Sequence, residues 1–180
     1  PEIAIWRSTM SDFRVWHPSR DAYHCCFRLV RLLVEQADAL SIERLRILDM
    51  FLLYPALLHR VRLSGDIKRQ VREIEIAKPE RTFVRLPSLP SVWQDLGIYQ
   101  STALKHLAGR GMLKREALLD RHASLDEAQV PQEVMKRALE ANSEQIDLMI
   151  VLIGSFSGFA DGGVDGLAQR THLPARGPVL

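Results

Sequence analysis

A mainly helical fold, with a winged-helix-like core, flanking helices and a small β wing, is what this sequence predicts. Three observations predict it. Apolar residues recur at 3,4 spacing from Tyr23 to Ala37, the period of a helix with one buried face. The block Ser91–Glu116 carries two apolar helix faces around Gly97, then Gly111 and a basic segment, the layout of a helix-turn-helix leading into a wing. Alternating runs of strand type are few and short. A length of 180 residues, 47% of them hydrophobic and 26% charged, suits a single globular domain.

The elements follow in chain order. Residues 1–20 read as an irregular arm holding Trp6, Phe13 and Trp16, two of the chain's three tryptophans. Aromatic side chains this dense pack on the body or on a partner, so these three are candidate partner contacts. Asp21 starts a helix over 21–38. Its stripe is Tyr23, Cys26, Phe27, Val30, Leu33, Val34 and Ala37, with Arg28, Arg31 and Glu35 outside it. The core spans 41–123. Ser41 caps a helix from Ile42 to Leu53, which Pro55 ends. Ala56–Leu63 makes a short turn of helix, and Asp66 caps a basic helix running to about Ile76. Arg81–Leu86 alternates like a strand, and Pro87 and Pro90 bracket a turn. Leu113–Ala123 makes two short strands. Pro131 opens a helix over 131–153. Residues 154–180 are a glycine-rich segment.

Within the block, Val92, Trp93 and Leu96 form the first inner face and Gly97 supplies the turn. Ile98 plugs that turn. Ala103, Leu104 and Leu107 form the second inner face, and Gly111 ends the second helix. Leu45–Leu53 serves as the first helix of the winged-helix core. The outer face of the second helix then carries Tyr99, Gln100, Ser101, Thr102, Lys105 and His106. Arg110, Lys114, Arg115 and Arg121 flank it. These are the candidate DNA contacts, the polar side chains for base edges and the cations for phosphate. Residues 81–122 hold seven Lys/Arg against three Asp/Glu, a mild basic footprint, whereas 123–153 hold two against six. A winged helix used to dock protein is the competing expectation.

Several function classes lack their motif. No P-loop, dinucleotide-binding glycine pattern or zinc-protease helix is present. Gly154-Ser-Phe-Ser-Gly158 has Phe156 where a nucleophile elbow needs a serine. His17, His24, His59, His106, His122 and His172 lack metal-ligand spacing, and Asp161–Gly166 reads as a turn rather than a calcium loop. No metal site, no cofactor and no catalytic residue is expected. Adjacent Cys25 and Cys26 cannot readily bond each other, so two reduced thiols are expected. Without an apolar run of spanning length or a leader pattern, the expected location is cytoplasmic, away from membranes. Asp49, flanked by Leu48, Met50 and Phe51, needs a buried partner, for which Arg46 and Arg44 are the nearest candidates.

Trp16-His17-Pro18, Asp21, Tyr23-His24 and Arg28, then Arg44-Leu45-Arg46-Ile47-Leu48-Asp49 with Tyr54-Pro55, and finally Gly166-Leu167 and Arg170-Thr171 carry a resemblance. Together they resemble the middle components of bacterial ABC-three-component conflict systems, the group that includes Lamassu-type antiphage defence. The resemblance implies a non-catalytic adaptor. Its partners would be an SMC- or Rad50-like ABC ATPase that senses DNA and an effector, often a nuclease. It leaves open whether the arginines and the aspartate line a partner surface or the core. A stand-alone winged-helix transcription regulator is the alternative.

Overall fold

The computed structural model describes residues 17–76, 78 and 87–173. Over these the chain is mainly helical, as the sequence predicts. A 3₁₀ turn, Pro18–Arg20, leads into helix α1, Ala22–Val34. Asp21 caps α1 by accepting from the backbone amides of Tyr23 (2.8 Å) and His24 (3.2 Å). Strand β1 is Leu40–Ser41, and Ser41 caps helix α2, Ile42–Leu53, through the Arg44 amide at 3.2 Å. Pro55–Arg60 is a 3₁₀ turn. Helix α3, Gly65–Glu73, has Ser64 at its N-cap, and Asp66 lies in its first turn, paired with Arg69, instead of capping it.

Helix α4 is Leu89–Gly109 and is continuous. Here the structure corrects the sequence reading. Gly97 makes no turn; it is buried inside the helix, and Ile98 is 67% exposed rather than a plug. The reason is phase. Val92, Trp93, Leu96, Gln100, Ala103, Leu104 and Leu107 are all buried on one stripe that runs through Gly97 unbroken. Tertiary packing of that stripe outweighs the roughly 1 kcal/mol that a glycine costs a helix interior. Pro90 does not bracket a turn either, for it sits in the first turn of α4, where its missing amide costs nothing. Gly111 does end the helix, at φ 73°. The amide of Gly111 bonds Ala108 O and that of Met112 bonds Leu107 O, both at 3.0 Å, which is a Schellman motif.

Leu113 makes one antiparallel bridge to Leu125. Between them lie the short helix α5, Arg115–Leu119, and strand β2, His122–Ala123. β2 pairs antiparallel with β1, Leu40 opposite Ala123 and Ser41 opposite His122. Helix α6, Gln132–Glu144, breaks at Gln145 and resumes as α7, Ile146–Met149, and a π-helical turn, Ile150–Ser155. In the glycine-rich segment, Leu167–Arg170 forms helix α8. The Asp161–Gly166 turn is tight, since a Cβ on Gly166 would lie 2.5 Å from the Gly162 carbonyl. The core is one cluster drawn from α1, α2, α4, the α7–π segment and α8. The strand expected at 81–86, and Trp6, Phe13 and Trp16, lie outside the described residues.

Candidate functional site

Of the residues that carry the resemblance, His24, Arg28, Arg46 and Asp49 meet at the junction of α1, α2 and α4, with Gln100 added from α4. Asp49, in the middle of α2, has no solvent exposure. Its partner is neither Arg46 nor Arg44 but Arg28 of α1, whose Nε donates to Oδ1 at 2.6 Å and whose Nη2 donates to Oδ2 at 3.3 Å. Gln100 Nε2 donates to Oδ2 at 2.8 Å, and Cys25 Sγ lies 3.8 Å from it. Arg28 Nη1 reaches Pro18 O (3.2 Å) and His24 Nδ1 (2.8 Å). The sequence reading placed Arg28 and Arg31 outside the apolar stripe, yet both are buried. Each is carried inward by polar partners on another helix, and a buried guanidinium needs them. Tyr23, placed on the stripe, is 71% exposed and packs edge-on against His106 at 5.2 Å.

Arg46 uses a different arrangement. Its Nε donates to Gln100 Oε1 at 3.0 Å, and its guanidinium lies over the Trp93 ring at 4.2 Å. Gln100 Nε2 returns a bond to Arg46 O at 3.0 Å. Gln100 was a candidate DNA contact, but it is fully buried and serves as the bridge between α4 and α2. Arg44 turns the other way. It pairs with Asp161 and donates to the carbonyls of Phe156 (2.9 Å) and Phe159, tying α2 to the glycine-rich turn. Arg170 closes that turn from its far end, with its guanidinium 4.6 Å from the Phe159 ring centre and Nε donating to Asp165 O at 2.8 Å. Arg170 Nη2 also lies 3.4 Å from Asp165 Oδ1, so both carboxylates of the turn are paired with arginines. A third tether joins α1 to α6: Arg31 Nε donates to Asn142 Oδ1 at 2.9 Å, and Asn142 Nδ2 donates to Arg31 O (2.9 Å) and Glu35 Oε1 (2.8 Å).

Burial sets the electrostatics. Desolvation, with Asp49 adding repulsion, pushes the Cys25 thiol well up, and burial also raises Cys26, so neither is a reactive thiolate. Both cysteines are free. Burial, helped by the Arg28 charge, lowers the pKa of His24, which stays neutral and accepts from Arg28. Among the described residues no three His, Cys, Asp or Glu side chains gather as a metal site, and no helix is long and apolar enough to cross a membrane.

The other candidate DNA contacts divide. Lys105, Thr102, Arg110, Lys114, Arg115 and Arg121 are exposed, all on the C-terminal part of α4 or between it and β2. Thr102 Oγ1 is occupied by Ile98 O at 2.8 Å. Ser101 and His106 are half-buried. Tyr99, also half-buried, faces a groove of ≈ 710 Å³ shared with His17, Tyr54 and Val92. Sequence reasoning quoted Arg28 in the resemblance but missed it as the partner of Asp49, and missed Asn142 altogether; no local signal in the sequence marked either contact.

Compared with known families, residues 14–176 match the model described as ABC-three component (ABC-3C) system Middle Component 5. No curated protein and no solved structure matches the chain.

Proposed function

We propose, starting from the fact that this chain belongs to the ABC-3C system middle component 5 family, that it is the non-catalytic adaptor of its system. It links an SMC- or Rad50-like ABC ATPase to an effector, in the cytoplasm. One observation carries the reading. The titratable residues of the shared motifs are consumed in holding the fold: Asp21 caps α1, Arg28 and Asp49 form a buried pair, and Arg44 and Arg170 clamp the glycine-rich turn. A buried, mutually satisfied pair has no proton or charge to lend to chemistry. His17 and Tyr54 do border the groove beside Tyr99, without an acidic or thiol partner lining it other than Asp95. What remains for a partner is surface.

Weak DNA contact forms part of the proposal. The winged-helix reading needs α1, rather than the expected Leu45–Leu53, as its first helix: α1, β1, α2, α4, the Leu113 bridge and β2 then take the places of helix, strand, helix, helix, strand and strand, with α3 and α5 as additions. On that mapping the wing spans residues 114–121. Lys105, Arg110, Lys114, Arg115 and Arg121 then stand where α4 meets the wing and supply phosphate contacts.

The test is co-expression with the ABC ATPase and the third protein encoded alongside, followed by size-exclusion chromatography of the tagged chain. A stable complex containing the ATPase is expected. A chain that runs alone and binds one promoter sequence near 10⁻⁸ M would establish the regulator instead.

A further inference from the structure

We infer that the outward face of α6–α7 and the following π-helical turn docks an amphipathic helix of a partner protein, apolar on one side and rich in Lys and Arg along its edges. The inference rests on the adaptor reading and names the surface and the chemistry of its occupant.

Leu139 lies on α6, Ile146 opens α7 after the break at Gln145, and Ile150 opens the π-helical turn, one turn on from Ile146. They are 47%, 51% and 52% exposed. Ala138, Asn142, Leu148, Met149, Val151 and Leu152 fill the inward face, so the outer three add nothing to the core. A solvated face normally carries polar residues, and a continuous aliphatic strip on the outside marks a contact surface. The strip runs into a cleft of ≈ 230 Å³ that Ile150 and Val151 line together with Ile74, the residue that follows α3. Glu73, Asp147 and Gln70 share that cleft.

Charge chooses the occupant. Residues 138–169 contain no Lys, Arg or His. The nearest cations on α6 are spoken for: Arg137 pairs with Glu133 at 2.9 Å and Lys136 with Glu140 at 3.9 Å. On α3, Arg69 pairs with Asp66, and Lys68 and Arg72 lie about half a turn round the helix from Gln70, which lines the cleft with Glu73. The charged groups that line the cleft are the carboxylates Glu73 and Asp147, and Glu144 is exposed at the end of α6. A second copy would bring the same acidic rim against itself, and nucleic acid and anionic membranes are repelled for the same reason. A helix with Leu or Ile at i, i+4 and i+7 and cations beside them satisfies both the strip and its rim.

The test uses the complex of the full chain with the ATPase and effector encoded beside it. A photo-activatable benzoylphenylalanine at position 150, and another at position 119 as a control site, reports what lies against each face by mass spectrometry. The expected cross-link from position 150 falls in a partner segment with helical apolar spacing and adjacent Lys or Arg, and position 119 gives none to that segment. Ile146→Ser/Ile150→Ser weakens the complex at least tenfold, and Glu144→Lys/Asp147→Lys at least fivefold in low salt, with melting within a few degrees of wild type. A complex that forms with both double variants within twofold of wild-type affinity, or cross-links only to a second copy or an acidic segment, overturns the inference while the adaptor reading stands. No complex at all overturns both.

Discussion

Replacing Asp49 by Ala removes the carboxylate paired with the buried Arg28 guanidinium, and the structure fixes what is stranded. Arg28 loses Nε–Oδ1 (2.6 Å) and Nη2–Oδ2 (3.3 Å) but keeps Nη1 on Pro18 O and His24 Nδ1. Gln100 Nε2 loses Asp49 but keeps Arg46 O. The dominant loss is therefore one buried charge left without its counter-charge, which costs about 3–5 kcal/mol. Against a total stability of about 5–15 kcal/mol, that is about a fifth of the fold's margin or more. At roughly 2–4 °C per kcal/mol for a chain of this size, the melting temperature falls by roughly 6–20 °C. The charge argument has a sharper consequence in the pair: Asp49→Leu with Arg28→Met removes both ions and recovers most of the loss, because neither charge is then stranded. Urea titrations of wild type, both single variants and the double variant form the cycle. Asp49→Ala within 1 kcal/mol of wild type would refute the burial argument. A double variant as unstable as the sum of the singles would show that the sites act through shape instead of charge. Asp161→Ala is the internal contrast: its carboxylate is 42% exposed, and its loss costs at most about 1 kcal/mol.

Other outcomes follow from single features. His24 titrates below its ordinary 6.5 in the fold because burial and Arg28 disfavour its charge. Below pH 6.5 the unfolded chain binds a proton that the folded chain refuses, so stability falls as pH drops from 7 toward 5.5. His24→Gln, which keeps an acceptor for Arg28, flattens that slope in thermal melts across this window; an unchanged slope assigns it to other groups. Gly111→Ala meets only the strain of φ 73° and costs about 1 kcal/mol, whereas Gly166→Ala drives a Cβ into the Gly162 backbone and costs about 1–3 kcal/mol. Equal melting of the two variants contradicts that ranking. The isolated chain binds mixed-sequence DNA at roughly 10⁻⁴–10⁻⁶ M, with a log–log salt slope of about −4.5 from five phosphate contacts. Lys105→Ala or Arg115→Ala each reduces that slope by about 0.9 in fluorescence anisotropy, and no binding at low salt leaves the wing as a protein-docking element.

How far the sequence could be read depends on whether a signal was local. The caps Asp21 and Ser41, the stop at Pro55 and the C-terminal glycine Gly111 all act within four residues of themselves, and each is found where its chemistry places it. Asp49 was readable as buried and paired because its neighbours on both sides are apolar. Its partner was not readable: the i−3 rule describes exposed helix surfaces, and on α2 it selects Arg46, which turns toward Gln100 and Trp93. Arg28 is 21 residues away, and only the packing of α1 on α2 brings it in. Gly97 shows a different failure. A glycine was given more weight than the phase of the residues around it, and the unbroken stripe from Val92 to Leu107 was the better evidence.

The same distinction explains why the surface, not the motif, bears on function. A motif of arginines and an aspartate suggests chemistry when read as letters. In the fold, each arginine of α1 and α2 that the motif contains is spent on a tether: Arg28 to Asp49, Arg46 to Gln100, and Arg44 to the glycine-rich turn. Arg31 adds the tether to α6, the helix where the exposed aliphatic strip begins. Polar tethers demand specific geometry, unlike apolar packing, which tolerates sliding. They tie α6 to α1, α1 to α2 and α2 to α4, so the exposed aliphatic strip and the cations that follow Gln100 on α4 keep a set separation. The proposed adaptor role would use that property, because two partners bound to one rigid body are held at a fixed distance and orientation. Arg31→Met tests it directly. The variant loses the bonds to Asn142, Ala141 O and Gln145 but keeps both surfaces. The expected result is retained binding of each partner alone, with weakened assembly of the three together. Unchanged three-way assembly would show that the link does not depend on the rigidity of α6.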